Sequence, residues 1–162
     1  MAPSRDAIRT TVENYVKSVA SGTVDDVLAL YAPGATVEDP VGTPVRATEA
    51  EIREFYGVVE PLAQTGEVIT LKIAENNAAF VFRLVTHLGE QDLVMEVVDV
   101  MTFDDDARIT SMRRSGARRT CRPSPPPDGQ PHRRGRWFHV EHRRSGRRTR
   151  GRHVPRLPRP GV

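Results

Sequence analysis

Residues 93–104, Leu-Val-Met-Glu-Val-Val-Asp-Val-Met-Thr-Phe-Asp, decide the fold class because their apolar side chains recur with the period of a β-strand. The same pattern extends over residues 67–112, where Asn, Gly and Asp residues interrupt it as turns do. Consecutive strands joined by short turns pair antiparallel. We therefore predict four such strands, at residues 67–74, 78–87, 93–103 and 108–112.

Upstream of these strands the apolar period changes to about 3.6 residues, which predicts three helices. Ser4, Thr23 and Thr48 are the expected N-caps. The second helix is expected to run to Pro33-Gly34, and a short strand is predicted at residues 36–39. Helices followed by consecutive strands predict an α+β domain, in which the helices cover one face of a curved antiparallel or mixed sheet and leave a pocket between the two layers.

The chain divides into two parts of opposite charge. Residues 1–112 carry 8 basic and 19 acidic residues, whereas residues 113–162 carry 16 arginines and 2 acidic residues. The second part also holds 8 prolines and few apolar residues, a composition that predicts a disordered tail. The change is so abrupt that we also consider a frameshift origin for residues 113–162, which a fresh in-frame reading of the gene would exclude.

The composition also limits where the protein acts. Cys121 is the only cysteine, so the chain cannot form an internal disulfide or a multi-cysteine metal site. The N-terminus lacks the pattern of a signal peptide, and the longest apolar runs are far shorter than the ~20 residues of a membrane helix. We expect a cytoplasmic protein that does not enter a membrane.

Two aspartates are candidates for chemistry. Strand alternation places Asp39 on the same face as Val37, so Asp39 either points into the core or ends the strand in solvent. Asp99 follows Val98 and precedes Val100 in mid-strand, so it either enters a pocket or reaches water at a sheet edge. Burial would raise the pKa of the Asp99 carboxyl and favour its neutral form, which can donate a hydrogen bond.

The three tyrosines are further candidates. Tyr15, Tyr31 and Tyr56 are each predicted on the apolar face of a different helix. Their hydroxyl groups either converge on one point or find separate partners in the core, since a buried phenol usually needs a hydrogen bond.

These residues lie in stretches that resemble the bacterial ketosteroid isomerases, which belong to the superfamily of nuclear transport factor two. The resemblance covers about residues 5–112. Its most specific part is residues 30–42, Leu-Tyr-Ala-Pro-Gly-Ala-Thr-Val-Glu-Asp-Pro-Val-Gly. It also includes Tyr15-Val16, residues 52–56 (Ile-Arg-Glu-Phe-Tyr) and residues 98–104 (Val-Asp-Val-Met-Thr-Phe-Asp).

The resemblance implies a cone-shaped domain and a role for each polar residue. Asp39 matches the general base, and Tyr15 and Asp99 match the two donors of an oxyanion hole. Tyr31 and Tyr56 match tyrosines that support this hydrogen-bond network. The implied reaction moves the double bond of a 3-oxo-Δ5-steroid to Δ4 by carrying a proton from carbon 4 to carbon 6, without a cofactor or metal.

The resemblance also implies a steroid substrate in an apolar pocket and a homodimer packed through the outer sheet face. Family members extend the last strand with aromatic or apolar residues, whereas Arg113 and Arg114 follow Met112 here. We therefore expect the native strand end, and with it one pocket wall, to be missing. The expected pocket residues are Val19, Val59, Leu62, Phe80, Phe82, Val97 and Met101.

Two other functions remain open at this stage. A polyketide-cyclase-like or other small-molecule enzyme of the superfamily could use Asp39 on another substrate, because a fold does not fix a function. A non-catalytic module could instead bind nucleic acid through the arginines of residues 113–162, which is the only route to such a partner that the sequence offers.

Overall fold

The computed structural model describes residues 2–58, 60 and 62–124, which fall within one compact unit. The predicted α+β class is confirmed. The elements, in chain order, are α1 (Arg5–Ser21), α2 (Val24–Leu28), β1 (Tyr31–Glu38), α3 (Glu49–Gly57), β2 (Gln64–Ala74), β3 (Asn77–Leu88), β4 (Gln91–Phe103) and β5 (Ile109–Pro123).

Local sequence signals start the three helices as predicted. The Ser4 side chain accepts a hydrogen bond from the backbone N–H of Ala7, which caps α1. Thr23 and Thr48 cap α2 and α3, and each forms a reciprocal capping box with an acidic residue three positions later. Each cap satisfies backbone donors that the first helical turn leaves free. No helix in the described part of the chain is both long and apolar enough to cross a membrane.

The five strands form one mixed sheet with the order β1-β5-β4-β3-β2. β1 runs parallel to β5, and every other neighbouring pair is antiparallel. Strand alternation gives the sheet a buried inner face, on which Phe80 and Phe82 of β3 lie beside Val97 and Met101 of β4. These side chains form a core with the buried residues of the helices.

α1 packs on the sheet through a close approach to β2 at Gly66. A Cβ atom at Gly66 would lie 2.9 Å from Cγ1 of Val16 and 3.0 Å from Cβ of Ala20. The absence of a side chain therefore lets the helix lie directly on the strand. This contact positions Tyr15, whose ring meets Phe80 and Phe82 edge-to-face with centroids 6.3 and 6.5 Å away.

The structure corrects the predicted end of the second helix. α2 stops at Leu28, and Tyr31, which was predicted on the apolar face of that helix, begins β1 instead. The reason is tertiary, because Tyr31 pairs with Ile109 of β5 and the carbonyl of Leu30 accepts a hydrogen bond from the Ile109 N–H at 2.8 Å. A sheet partner distant in sequence thus satisfies backbone groups that a longer helix would have used.

The predicted end of the last strand is also wrong. β5 does not stop at Met112 but continues to Pro123, pairing with β4 as far as the Gln91–Pro123 pair. Backbone hydrogen bonds do not depend on side-chain type, and the 13 residues of β4 present a long edge that a partner strand can cover. The expected disorder is therefore wrong for residues 113–123, whereas the prediction for residues 125–162 falls outside the described residues.

Replacing Gly66 with alanine tests the packing of α1 on β2. The added methyl group would push against Val16 and Ala20, so we expect Gly66→Ala to lower the free energy of unfolding by about 1–3 kcal/mol. Urea unfolding followed by circular dichroism measures this. The control is Gly116→Ala in β5, where an added Cβ meets no atom within 4 Å. Equal stabilities of the two variants would contradict the proposed close approach.

Candidate active site

Asp99 lies on the inner face of β4, where its side chain is fully buried. Its neighbours across the sheet are Phe80 of β3 and Arg114 of β5. A carboxyl on the inner face of a central strand cannot reach water, so it must find its partners inside the domain. The structure thus decides between the two positions that the sequence left open and places Asp99 in the interior.

Asp39 directly follows β1 and is also buried, with a relative exposure of 9%. The backbone N–H of Val41 donates to the carbonyl of Arg114 at 2.8 Å, which holds the segment after Asp39 against β5. Arg46 donates to the Asp39 backbone carbonyl at 3.4 Å. Asp39 therefore points inward rather than ending its strand in solvent.

Arg114 joins the two carboxylates, and the sequence analysis missed it. Its Nε and Nη2 atoms donate to the two oxygens of Asp99, at 2.9 and 3.2 Å. Its Nη1 atom forms an ion pair with Oδ2 of Asp39 at 2.7 Å, and its Nη2 atom lies 3.5 Å from the Tyr15 hydroxyl. The predicted cleft between these three groups is thus occupied by a charged side chain of the same protein.

A usable signal for Arg114 was present in the sequence. Met112 is buried, and strand alternation places residue 114 on the same face as residue 112. Applying this rule required β5 to continue beyond Met112, which the arginine-rich composition argued against.

The tyrosine hydroxyl groups form a chain that ends at Asp99. The Tyr31 hydroxyl lies 2.7 Å from that of Tyr56, which lies 3.1 Å from that of Tyr15. The Tyr15 hydroxyl in turn donates to Oδ2 of Asp99 at 3.5 Å. The three tyrosines therefore converge on one point, although Tyr31 reaches it from β1 and not from a helix.

Burial dominates the electrostatics of this cluster. It raises the pKa of Asp39 and of Asp99, while the positive charge of Arg114 opposes the rise in both. Burial also raises the pKa of all three tyrosines well above the ordinary value, so they remain neutral donors. Although burial alone lowers the pKa of Arg114, Tyr15 and the two carboxylates raise it more, and the guanidinium stays charged.

The predicted pocket residues divide into three groups. Those on the inner face of the sheet and on α1 are buried around the cluster, whereas Leu62 is 42% exposed and does not belong to the core. Val59 lies outside the described residues. The buried members of the predicted set are Val19, Phe80, Phe82, Val97 and Met101.

Within residues 2–58, 60 and 62–124, no group of three or more His, Cys, Asp or Glu side chains is placed to hold a metal ion.

Comparison with known proteins identifies the family of the chain. The model of the SnoaL-like domain family matches residues 12–112. The chain belongs to the SnoaL-like domain family. It is also 43% identical over 106 residues to the steroid Delta-isomerase of Nocardioides simplex, covering 65% of this chain and 86% of that enzyme.

A solved structure extends the comparison. SalBIII, described as an epoxide hydrolase/cyclase-like enzyme in pyran ring formation in the polyether salinomycin, superposes with a TM-score of 0.61. It shares 26% sequence identity, and the match covers 68% of this chain and 90% of SalBIII. This SnoaL-like domain therefore has one relative named as an isomerase and another named as cyclase-like.

The order of the tyrosine chain predicts unequal effects of removing its hydroxyl groups. Tyr56→Phe removes the central hydroxyl and leaves the buried Tyr31 hydroxyl without its partner, so we expect a loss of about 1–3 kcal/mol in the free energy of unfolding. Tyr31→Phe removes only the end of the chain and should cost about 0.5–1.5 kcal/mol. Chemical denaturation of both variants measures the difference, and a larger loss for Tyr31→Phe would contradict the order.

Proposed function

We propose that this SnoaL-like domain is a steroid Δ-isomerase that converts 3-oxo-Δ5-steroids to their Δ4 isomers. The observation that carries the proposal is the convergence of Asp39, Asp99 and the Tyr15 hydroxyl on a single guanidinium. Groups that contact one small cation are close enough to contact one substrate ring. The relative from Nocardioides simplex supports the same activity.

Asp39 is the proposed general base. Its Oδ2 atom is buried and, apart from the ion pair with Arg114, has no hydrogen-bond donor directed at it among the described residues. An oxygen in this state can accept a proton. Burial raises the pKa of Asp39, and a raised pKa makes the carboxylate a stronger base. Asp39 would remove a proton from carbon 4 and later return it to carbon 6.

Tyr15 and Asp99 are the proposed donors to the ketone oxygen. As the carbon 4 proton leaves, its electron pair moves into the ring and negative charge develops on that oxygen. The Tyr15 hydroxyl and a protonated Asp99 would each donate a hydrogen bond to it, and such donors are most effective in a site without water. Tyr56 and Tyr31 would hold the Tyr15 hydroxyl in place, and Phe80, Phe82, Val97 and Met101 would supply the apolar surface for the steroid.

Replacing the base tests the proposal most directly. Asp39→Asn removes the proton acceptor with little change in shape, so we expect kcat to fall by about 10²–10⁴-fold. The assay follows the ultraviolet absorbance of the conjugated product formed from 5-androstene-3,17-dione. The matched control is Glu38→Gln, because Glu38 is the preceding acid but pairs with Arg113 outside the site and Gln retains an acceptor for the Gly42 N–H. Similar losses in both variants, or full activity of Asp39→Asn, would refute the role of Asp39.

A second candidate is a polyketide-cyclase-like reaction, and the Asp39–Arg114–Asp99 array together with the SalBIII match supports it. One carboxylate would take the proton of an attacking hydroxyl, and the other, protonated, would give a proton to the oxygen of an opening epoxide. The charges balance, and Arg114 would orient both acids. Turnover of a hydroxy-epoxide that is lost in Arg114→Leu would favour this candidate over the isomerase.

The proposed isomerase is expected to be a homodimer that packs through the outer sheet face. Val98 and Val100 of β4 lie on that face and are 39% and 37% exposed, which is unusual for two valines of a central strand. A partner sheet would cover them. The cytoplasmic location stays a prediction. The nucleic-acid alternative also stays a prediction, because most arginines of residues 113–162 lie outside the described chain.

A charge on this face tests the dimer. Val100→Glu should convert the dimer into a monomer of 18.1 kDa, because an unpaired carboxylate would be buried in the interface. Sedimentation equilibrium measures the mass. Leu88→Glu is the control, since Leu88 is 59% exposed at the end of β3 beside the turn. A wild-type protein that sediments as a monomer would disprove the dimer.

A further inference from the structure

We propose that Arg114 is an internal occupant of the isomerase site, so that a steroid can react only after the Arg114 side chain has left. The inference rests on the proposed function, because it treats the space between Asp39, Tyr15 and Asp99 as the substrate site. It makes Arg114 a residue that sets substrate affinity and turnover without touching the substrate.

The contacts of Arg114 are those that the substrate would need. Its Nη2 atom lies 3.5 Å from the Tyr15 hydroxyl and 3.2 Å from an Asp99 oxygen, which is where the ketone oxygen would meet both donors. Its Nη1 atom lies 2.7 Å from the oxygen of Asp39 that would take the proton. The guanidinium and the ketosteroid ring therefore compete for the same three groups.

The side chain, and not the backbone, is the part that can move. β5 lies between β1 and β4 in the sheet, so hydrogen bonds on both sides fix the Arg114 backbone. The side chain is 18% exposed, which leaves it a path to solvent, and its guanidinium carbon lies 5.6 Å from the centre of the Phe82 ring. When the guanidinium leaves, the space that it vacates is bordered by this aromatic ring and the two carboxyl groups.

Removal of Arg114 also changes the pKa of both carboxyl groups. While Arg114 is present, it donates to both Asp99 oxygens and lowers the pKa of Asp99, which favours the ionised form, and an ionised carboxyl has no proton to donate to a ketone. Without the guanidinium, burial raises the pKa of Asp99, opposed only by the hydrogen bond from Tyr15, and this favours the neutral donor. Burial and the Asp99 carboxyl raise the pKa of Asp39, opposed then only by Arg46.

The ion pairs of Arg114 provide the energy that holds the site in its occupied state. A guanidinium that donates to two carboxylates makes charge-assisted bonds, which are among the stronger hydrogen bonds in proteins. A ligand that must displace Arg114 binds only to molecules whose guanidinium has left the site, which form the open state. Its apparent affinity is therefore reduced in proportion to the fraction of molecules in that state. We expect an open fraction of roughly one in ten to one in a hundred.

The experiment compares Arg114→Leu, Arg114→Lys and the control Arg113→Leu. Arg113 is the adjacent arginine, but it faces outward and pairs with Glu38. Isomerisation of 5-androstene-3,17-dione and calorimetric binding of the Δ4 product are both measured. We expect Arg114→Leu to raise kcat/KM and product affinity by about 10- to 100-fold, while Arg113→Leu matches the wild type.

The pH profile provides a readout that a structural role would not alter. Asp39 acts as a base only when it is ionised, so activity falls as the pH drops through its pKa. Because Arg114 lowers the pKa of Asp39, Arg114→Leu should move this acidic limb to higher pH. An unchanged limb in a folded Arg114→Leu variant would count against the inference.

Arg114→Lys keeps the proposal testable if the leucine variant does not fold. Lysine retains the charge but lacks the planar fork that reaches both carboxylates, so product affinity should rise by a smaller factor of about 3- to 10-fold. Product affinity equal to the wild type in the folded lysine variant would overturn the inference. A fall in kcat/KM of Arg114→Leu without tighter product binding would also overturn it and favour the cyclase-like reaction.

The two readouts separate this inference from the proposed function. If no variant isomerises the steroid but Arg114→Leu binds the Δ4 product at least about tenfold more tightly than Arg113→Leu, the occupancy by Arg114 stands and the isomerase activity does not. If the wild type isomerises the steroid and Arg114→Leu is neither faster nor tighter, the isomerase stands and the inference is wrong.

Discussion

One guanidinium shared by two buried carboxylates is the constraint on which the interior of this domain depends. Asp39 follows β1 and Asp99 lies in β4, and each would be costly to bury alone because a charge without a partner loses its hydration. Arg114 pairs with both, and its own burial is tolerated for the same reason. The three charges therefore fix one another's positions, and removing any one leaves the others without full compensation.

The fold creates this array by bringing distant segments together. β5 enters between β1 and β4, so Arg114 lies beside Asp99 across one strand pair and beside the segment after Asp39 across the other. α1 supplies Tyr15 from the opposite layer, because Gly66 lets the helix lie directly on β2. A mixed sheet with helices on one face thus brings two carboxyl groups, one guanidinium and a chain of phenols to one point, although they come from different segments of the chain.

The comparisons narrow the chemistry that such an array can perform. Proteins related to this SnoaL-like domain include one named as a steroid isomerase and one named as epoxide hydrolase/cyclase-like. The two reactions proposed for this chain differ in the role of Arg114, which must leave the site for the isomerase reaction and orients both acids in the cyclase-like reaction. The choice of reaction therefore depends on one side chain of β5.

The sequence by itself determined the α+β class and the three N-caps. It limited Asp39 and Asp99 to two positions each, one of them inward, and it singled out the three tyrosines whose hydroxyl groups form the chain. These follow from side-chain period and capping chemistry, which act over a few residues. The tertiary structure decided that Tyr31 leaves its predicted helix and that β5 continues through an arginine-rich segment. The first outcome comes from backbone pairing of Tyr31 with β5, far away in sequence, and the second from pairing of β5 with the long neighbouring strand β4; this pairing is indifferent to composition. It also placed Arg114 in the cleft, since only the completed sheet sets residue 114 opposite residue 99.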